Sequence, residues 1–355
     1  MADMSAMSVN ANERVRSARK LHGWLAVALI IVGIASLTIG ATGVSLWTVL
    51  GKLLSGEALT PTERAVMINI RMPRLAMGCL VGAALAVSGT VMQGLFRNPL
   101  ADPGIAGVSA GATFGAVNAI VLGGLLPASV FAVVGAQLVP IAAFLGAWVT
   151  TLLLYRVATR HGRTSVATML LAGIALSALT MAFSGILIFS ADDQQLRDLT
   201  FWGLGSLAGA SWSKLAITTP VILLAIAAAC LLGKSLNGIA LGEATAAHIG
   251  IPVQKVKNAA ILTVAGATGC AVAVSGGIGF IGIVVPHLLR LSTGPDHRPL
   301  LINAALLGAI LLVLADVVAR NVIPPAELPI GIITAVLGAP VFLWILLRHR
   351  GLVDL

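Results

Sequence analysis

The sequence predicts an all-α integral membrane protein with ten transmembrane helices. Three observations predict it. Of 355 residues, 58% are hydrophobic and only 10% charged, against about 25% charged in a soluble domain. So few charges could not cover a water-facing surface of this size. The apolar residues fall into runs near the ~20 residues that cross a hydrocarbon core, and Lys and Arg sit between those runs, as in a polytopic protein oriented by its loops.

Taken in order, the first twenty residues are polar and end in Arg14, Arg16, Arg19 and Lys20, ahead of an apolar run from Trp24 to about Leu46. A signal peptide would have a shorter apolar core and a small-residue cleavage site, so this run reads as a retained first helix. Further stretches lie at 75–96, 105–126, 130–155, 166–189, 215–232, 259–274, 278–291, 300–319 and 330–347. The expected organisation is a cytoplasmic N-terminal tail over 1–23 and a single transmembrane domain over 24–348. A long cytoplasmic loop occupies about 233–258, and a cytoplasmic C-terminal tail follows at 349–355. Ten spans return the C-terminus to the side of the N-terminus.

Charge placement agrees with this threading. Of the 22 Lys and Arg residues, Lys52, Arg64, Arg71, Arg74, Arg197, Lys214 and Arg320 fall outside, and the remaining fifteen fall in the cytoplasm. The net charge of +9 therefore reflects membrane orientation and not nucleic-acid binding. Two spans, the one after Gly104 and the one around Gly276 to Gly282, are short and glycine-rich. Backbone groups freed there need partners inside the protein, which places these spans centrally, near a pathway. Small residues four apart, Gly107, Gly111 and Gly115, or Gly82 and Ala86, suit close helix approach in lipid.

Several chemistries are excluded. Gly233-Lys234-Ser235 resembles the end of a P-loop, but the required earlier glycine is Ala228 and no strand precedes it. Gly277 to Gly282 spells GxGxxG inside an apolar stretch without a βαβ unit. Cys79, Cys230 and Cys270 are isolated, and the six histidines fall at cytoplasmic ends without metal-ligand spacing. No catalytic residue and no metal site are expected. Asp316 is the acid well inside a span. Such a residue is a candidate for proton coupling in a secondary carrier, or simply the partner of Arg320 four residues on.

The loops carry a resemblance. Arg71-Met72-Pro73-Arg74, Asn98-Pro99-Leu100-Ala101-Asp102-Pro103-Gly104, Gly279-Phe280-Ile281-Gly282, Gly294-Pro295-Asp296-His297-Arg298 and Ala326-Glu327-Leu328-Pro329-Ile330-Gly331 closely resemble the FecCD-type permeases. These are membrane subunits of ABC importers for iron chelates, haemin and cobalamin. The resemblance runs from about Trp24 to Leu347. It implies a type II importer architecture in the bacterial inner membrane, with both termini cytoplasmic. It further implies a homodimer with its pathway on the two-fold axis, two cytoplasmic ATPase subunits that use ATP and Mg, a periplasmic binding protein, and no cofactor on this chain.

Carried over by position, the resemblance implies docking of the binding protein on Arg71, Arg74 and Arg320, for which ordinary interfacial anchoring is the alternative. It assigns ATPase coupling to the loop containing Leu241, Gly242, Glu243, Ala246, Ala247 and Gly250. The cytoplasmic gate falls at Asn98 and Leu100, with Thr164 and Ser165 expected to neighbour them. The polar outer segment from Ser190 to Leu207 is most similar to haemin permeases, with ferric siderophore or cobalamin as alternative cargo. Since no His or Tyr falls on the outer pathway, haem iron would not be ligated there. Passage would rely on an apolar, weakly binding channel.

Overall fold

The first apolar run continues a helix that starts far earlier. In the computed structural model, which describes residues 2–40, 43–160 and 163–348, α1 runs unbroken from Ala2 to Thr38. Residues 2–23 of the expected N-terminal tail thus belong to the same helix as the first apolar run. They are rich in good helix formers and have no Gly or Pro before Gly23. The expected C-terminal tail, 349–355, lies outside the described residues.

Capping chemistry sets the next boundaries. The Ser45 hydroxyl accepts from the Trp47 N–H at the head of α2 (Leu46–Ser55), which stops at left-handed Gly56. A capping box between Thr60 and Glu63 opens α3 (Pro61–Arg64). One wide π-type turn, Ala65–Arg71, joins it to α4 (Met72–Phe96). The second span is therefore one long helix, Pro61–Phe96, beginning well before residue 75.

α5 (Val108–Leu122), α6 (Ala128–Val134) and α7 (Leu138–Ala158) follow. The predicted span 130–155 is divided, because a tight turn at Gly135–Gln137 separates α6 from the long helix. A minimal antiparallel hairpin, β1 (Thr159–Arg160) and β2 (Arg163–Thr164), sets Thr159 opposite Thr164. Polar caps then start α8 (Val166–Phe189) at Ser165, α9 (Asp193–Leu204) at Asp192 and α10 (Trp212–Leu231) at Ser211. Two short helices, α11 (Gly233–Ala240) and α12 (Glu243–His248), fill the long loop before α13 (Val253–Ser275). The described residues end with α14 (Ile281–Thr293), α15 (His297–Asn321) and α16 (Ile330–Arg348). Among the described residues eight helices have the length and apolarity to cross a membrane, while α14 and α16 are shorter apolar helices. Each of the ten predicted stretches corresponds to a helix.

The core lies around α4, where Met77, Val81, Ala84 and Leu85 pack with Leu300, Ala304 and Leu312 of α15. The two backbones touch. A Cβ on Gly82 would stand 2.3 Å from the Gly308 carbonyl oxygen, and one on Gly308 equally close to that of Gly82. α5 and α7 approach in the same way, Gly115 against Ala142. Trp24, Ile30 and Ile31 of α1 and Leu171 and Met181 of α8 are exposed, as lipid-facing positions should be.

The glycine-rich break between α13 and α14 is held inside the protein, as the sequence predicts. Ser206 N–H donates to the Ser275 carbonyl (2.7 Å), Gly277 N–H to Trp202 (3.4 Å) and Ile330 N–H to Gly205 (3.0 Å). Phe280 takes a left-handed backbone at φ 68° to start α14. The P-loop look-alike Gly233-Lys234-Ser235 lies within α11 and forms no phosphate loop.

Candidate functional site: a buried arginine end and a coupling-loop end

Two polar clusters mark opposite ends of the bundle. At the end formed by the close of α1, the start of α4 and the close of α15, Asp316 holds two guanidiniums. Arg74 Nε donates to both of its carboxylate oxygens (2.9 and 3.1 Å) and Arg74 Nη1 to Glu327 (2.9 Å). Arg320 pairs with Asp316 at 3.1 Å and donates to the Ser36 carbonyl and hydroxyl (3.2 and 3.1 Å). Arg71 donates to the carbonyls of Leu37 (2.6 Å) and Val44 (2.7 Å).

The expected Asp316–Arg320 pair is present, and Arg74 joins it from 242 residues away in sequence. The three arginines expected to dock the binding protein gather at this end. Arg71, Arg74 and Arg320 are only 4%, 6% and 9% exposed. The physical reason is local supply of acceptors: α15 places a carboxylate one turn before Arg320, and the end of α1 offers carbonyls no longer used by its helix. The solvent-facing member of the cluster is Glu327.

At the other end lies the loop predicted for coupling. Left-handed Gly242 (φ 107°) turns the chain from α11 into α12, and Gly250 (φ 84°) turns it out again. Ala246 is fully buried and packs with Ile239 and Val256, fixing α12 to the body. Leu241 and Ile249 are exposed, at 68% and 60%, and Ala247 is exposed between them. Glu243 forms an ion pair at 2.7 Å with Lys257 of α13, a residue that sequence reasoning counted only as a cytoplasmic charge.

Of the residues expected at the gate, Asn98 and Leu100 form a side-chain-closed turn, the Leu100 N–H donating to Asn98 Oδ1 (2.9 Å). Thr164 is buried and Ser165 caps α8. The hydrogen bonds found at Thr164 run to Thr159, Gln254 and Lys257, and none reaches the Asn98 turn. The structure ties this segment to α13.

Further polar groups at this end are given no role by the sequence: Asp102, Asp296 and His297 stand there only in the motif loops, and Asn237 in none of them. Asn237 donates to Asp296 Oδ1 (2.7 Å), while Asn237 Oδ1 accepts from the His297 N–H (2.9 Å). Burial raises the Asp296 carboxyl, but hydrogen bonds from Arg298 and Asn237 outweigh it and hold it down at about 2. Asp102, which accepts from the Gly104 N–H, is pushed up by burial. The signal that could have found Asp296 is its place immediately before α15, a helix-capping position. Among the described residues no group of three His, Cys, Asp or Glu could hold a metal ion, and the three cysteines are free thiols.

A model described as the FecCD transport family matches residues 28–348. The chain belongs to the FecCD transport family. It is accordingly a multi-span transport permease of the ABC importer type, made for the bacterial inner membrane. Among its relatives, the hemin transport system permease protein HmuU of Yersinia pestis is 42% identical over 339 residues, covering 96% of this chain and 98% of the relative. The vitamin B12 import system permease protein BtuC of Salmonella typhi is 44% identical over 296 residues, covering 82% and 87%. A solved metal-chelate type ABC transporter in an inward-facing conformation superposes with a TM-score of 0.80 at 33% identity, covering 91% of this chain and 97% of that one. FecCD permeases thus supply the frame for both polar ends.

Proposed function

We propose that this FecCD permease is the translocation subunit of an ATP-driven importer for haemin, with ferric siderophore or cobalamin as the alternative cargo. The observation that carries the importer reading is α12, a short helix anchored by Ala246 and flanked by outward-facing Leu241 and Ile249. Exposed apolar side chains at the end of a membrane bundle suit a partner's groove, here that of an ATPase subunit. The preference for haemin comes from the likeness to HmuU over almost the whole of both chains.

In this reading two copies form the pathway at their common axis, and lipid surrounds them. The coupling-loop end and both termini face the cytoplasm. The chain performs no catalysis and binds no cofactor, because ATP and Mg are used by the two ATPase subunits. The binding protein docks at the arginine end, where a carboxylate arriving at Arg74 takes the place of solvent-facing Glu327. A proton-coupled carrier would need a free acid, whereas Asp316 is clamped by two arginines.

The test is uptake into liposomes holding the permease with its cognate ATPase and binding protein, comparing haemin, a ferric siderophore and cobalamin. ATP-dependent haemin uptake is expected. Loss of transport with continued ATP hydrolysis is expected for Glu243→Arg, and unchanged transport in that variant would sink the coupling assignment.

A further inference from the structure

We infer that Lys257 is a positioning residue that carries displacement of the coupling helix to the head of α8. The inference rests on the importer reading and deepens it. Lys257 is 3% exposed, and its ammonium bonds two segments far apart in sequence. Its Nζ lies 2.7 Å from Glu243 Oε1 on α12 and 2.7 Å from the Thr164 carbonyl oxygen on β2.

Thr164 is bound to the same turn of α13 twice more. Its N–H donates to Gln254 Oε1 (2.9 Å), and its hydroxyl accepts from Gln254 Nε2 (2.6 Å). The following residue, Ser165, caps α8. A single buried cation therefore joins the surface offered to the ATPase to the segment expected at the gate.

Glu243 and Lys257 differ in exposure, and that difference gives the joint its direction. The carboxylate side chain is 45% exposed and the ammonium side chain 4%. If α12 moves away with the ATPase and Lys257 stays, a cation is left buried without its counter-charge, a costly state. Lys257 must follow Glu243 or carry β2 with it. Both responses alter the Thr164 bond, so motion of α12 reaches the β1–β2 hairpin and the cap of α8. A neutral contact in the same place would let α12 slip without that consequence.

The experiment measures haemin taken up per ATP hydrolysed by the full complex in liposomes, for the wild type, Lys257→Met, Lys257→Arg, Glu243→Gln and the charge-exchanged double variant Glu243→Lys/Lys257→Glu. Hydrolysis is expected to persist in Lys257→Met and Glu243→Gln while uptake per ATP falls at least about tenfold, within the range of a coupling free energy between two sites. The exchanged pair restores the opposite charges but sets a carboxylate, which cannot donate, against the Thr164 carbonyl. Its ratio should stay low, whereas a purely structural ion pair would be restored. Lys257→Arg, which keeps charge and donors, should regain part of the ratio. An unchanged ratio in Lys257→Met overturns the inference. Where Lys257→Met fails to fold, an unchanged ratio in Glu243→Gln, which alters a half-exposed group, overturns it equally. A wild-type complex without ATP-dependent uptake of any of the three cargoes would instead sink the importer reading itself.

Discussion

Asp316 shows how much one carboxylate can organise. It draws Arg74 of α4 and Arg320 of α15 into one buried cluster, with N–O distances of 2.9 and 3.1 Å, where water would otherwise have to follow the charges. Removing the acid leaves two buried guanidiniums without their shared counter-charge. Asp316→Asn should therefore lower stability by roughly 3–5 kcal/mol, the cost of breaking a buried pair from one side. Thermal unfolding in detergent checks this, and a midpoint equal to that of the wild type would contradict it. The Asp316–Arg320 half of the cluster was legible from spacing alone, since residues four apart share a helix face. The Arg74 half was not, because no local pattern records which helix lies against α15.

At the scale of elements, helix approach is governed by residues that lack side chains. α4 meets α15 at Gly82 and Gly308, where an added methyl would fall 2.3 Å from a carbonyl oxygen in either direction. Gly82→Ala and Gly308→Ala should each destabilise by about 1–3 kcal/mol, the usual cost of overpacking. Gly51, inside α2 with nothing within 4 Å of its added Cβ, is the contrasting case. Gly51→Ala should be neutral or stabilising by about 0.5–1 kcal/mol through helix propensity. Unfolding midpoints for the three variants would test the contrast. The small-residue spacing was visible in the sequence at Gly82 and Ala86. Its partner Gly308 was not, since one helix's spacing does not identify the opposing face. The misplaced boundaries have a similar origin. Hydropathy locates the apolar part of a helix, whereas Thr60 and Glu63 start the second span by hydrogen bonding in a polar segment.

For the whole molecule, the two ends differ in what they offer a partner. The arginine end keeps its cations inside and exposes Glu327, while the opposite end exposes apolar Leu241 and Ile249 on either side of α12, which Ala246 anchors. An apolar docking element is weakened by charge at its contact positions, which must be desolvated on association. Leu241→Asp and Ile249→Asp should therefore each reduce recovery of the cognate ATPase with the purified permease by at least about tenfold in affinity, each step of 1.4 kcal/mol being tenfold. Both side chains are exposed, so the unfolding midpoint of the permease alone should stay within about 0.5 kcal/mol of the wild type. Retained ATPase recovery at wild-type affinity would remove α12 from the interface.

Fold class, the order of ten membrane stretches, the family and the place of the long polar loop over 233–258 are legible in the sequence. These follow from it because the transfer of apolar residues into a bilayer is additive along the chain, and because cap and turn chemistry is local. Which polar groups meet across distant segments depends on how the helices assemble. The Arg74–Asp316 and Lys257–Thr164 contacts join residues 242 and 93 positions apart. In a low-dielectric interior each buried charge takes the nearest partner that packing brings to it, and packing is a property of the assembled helices.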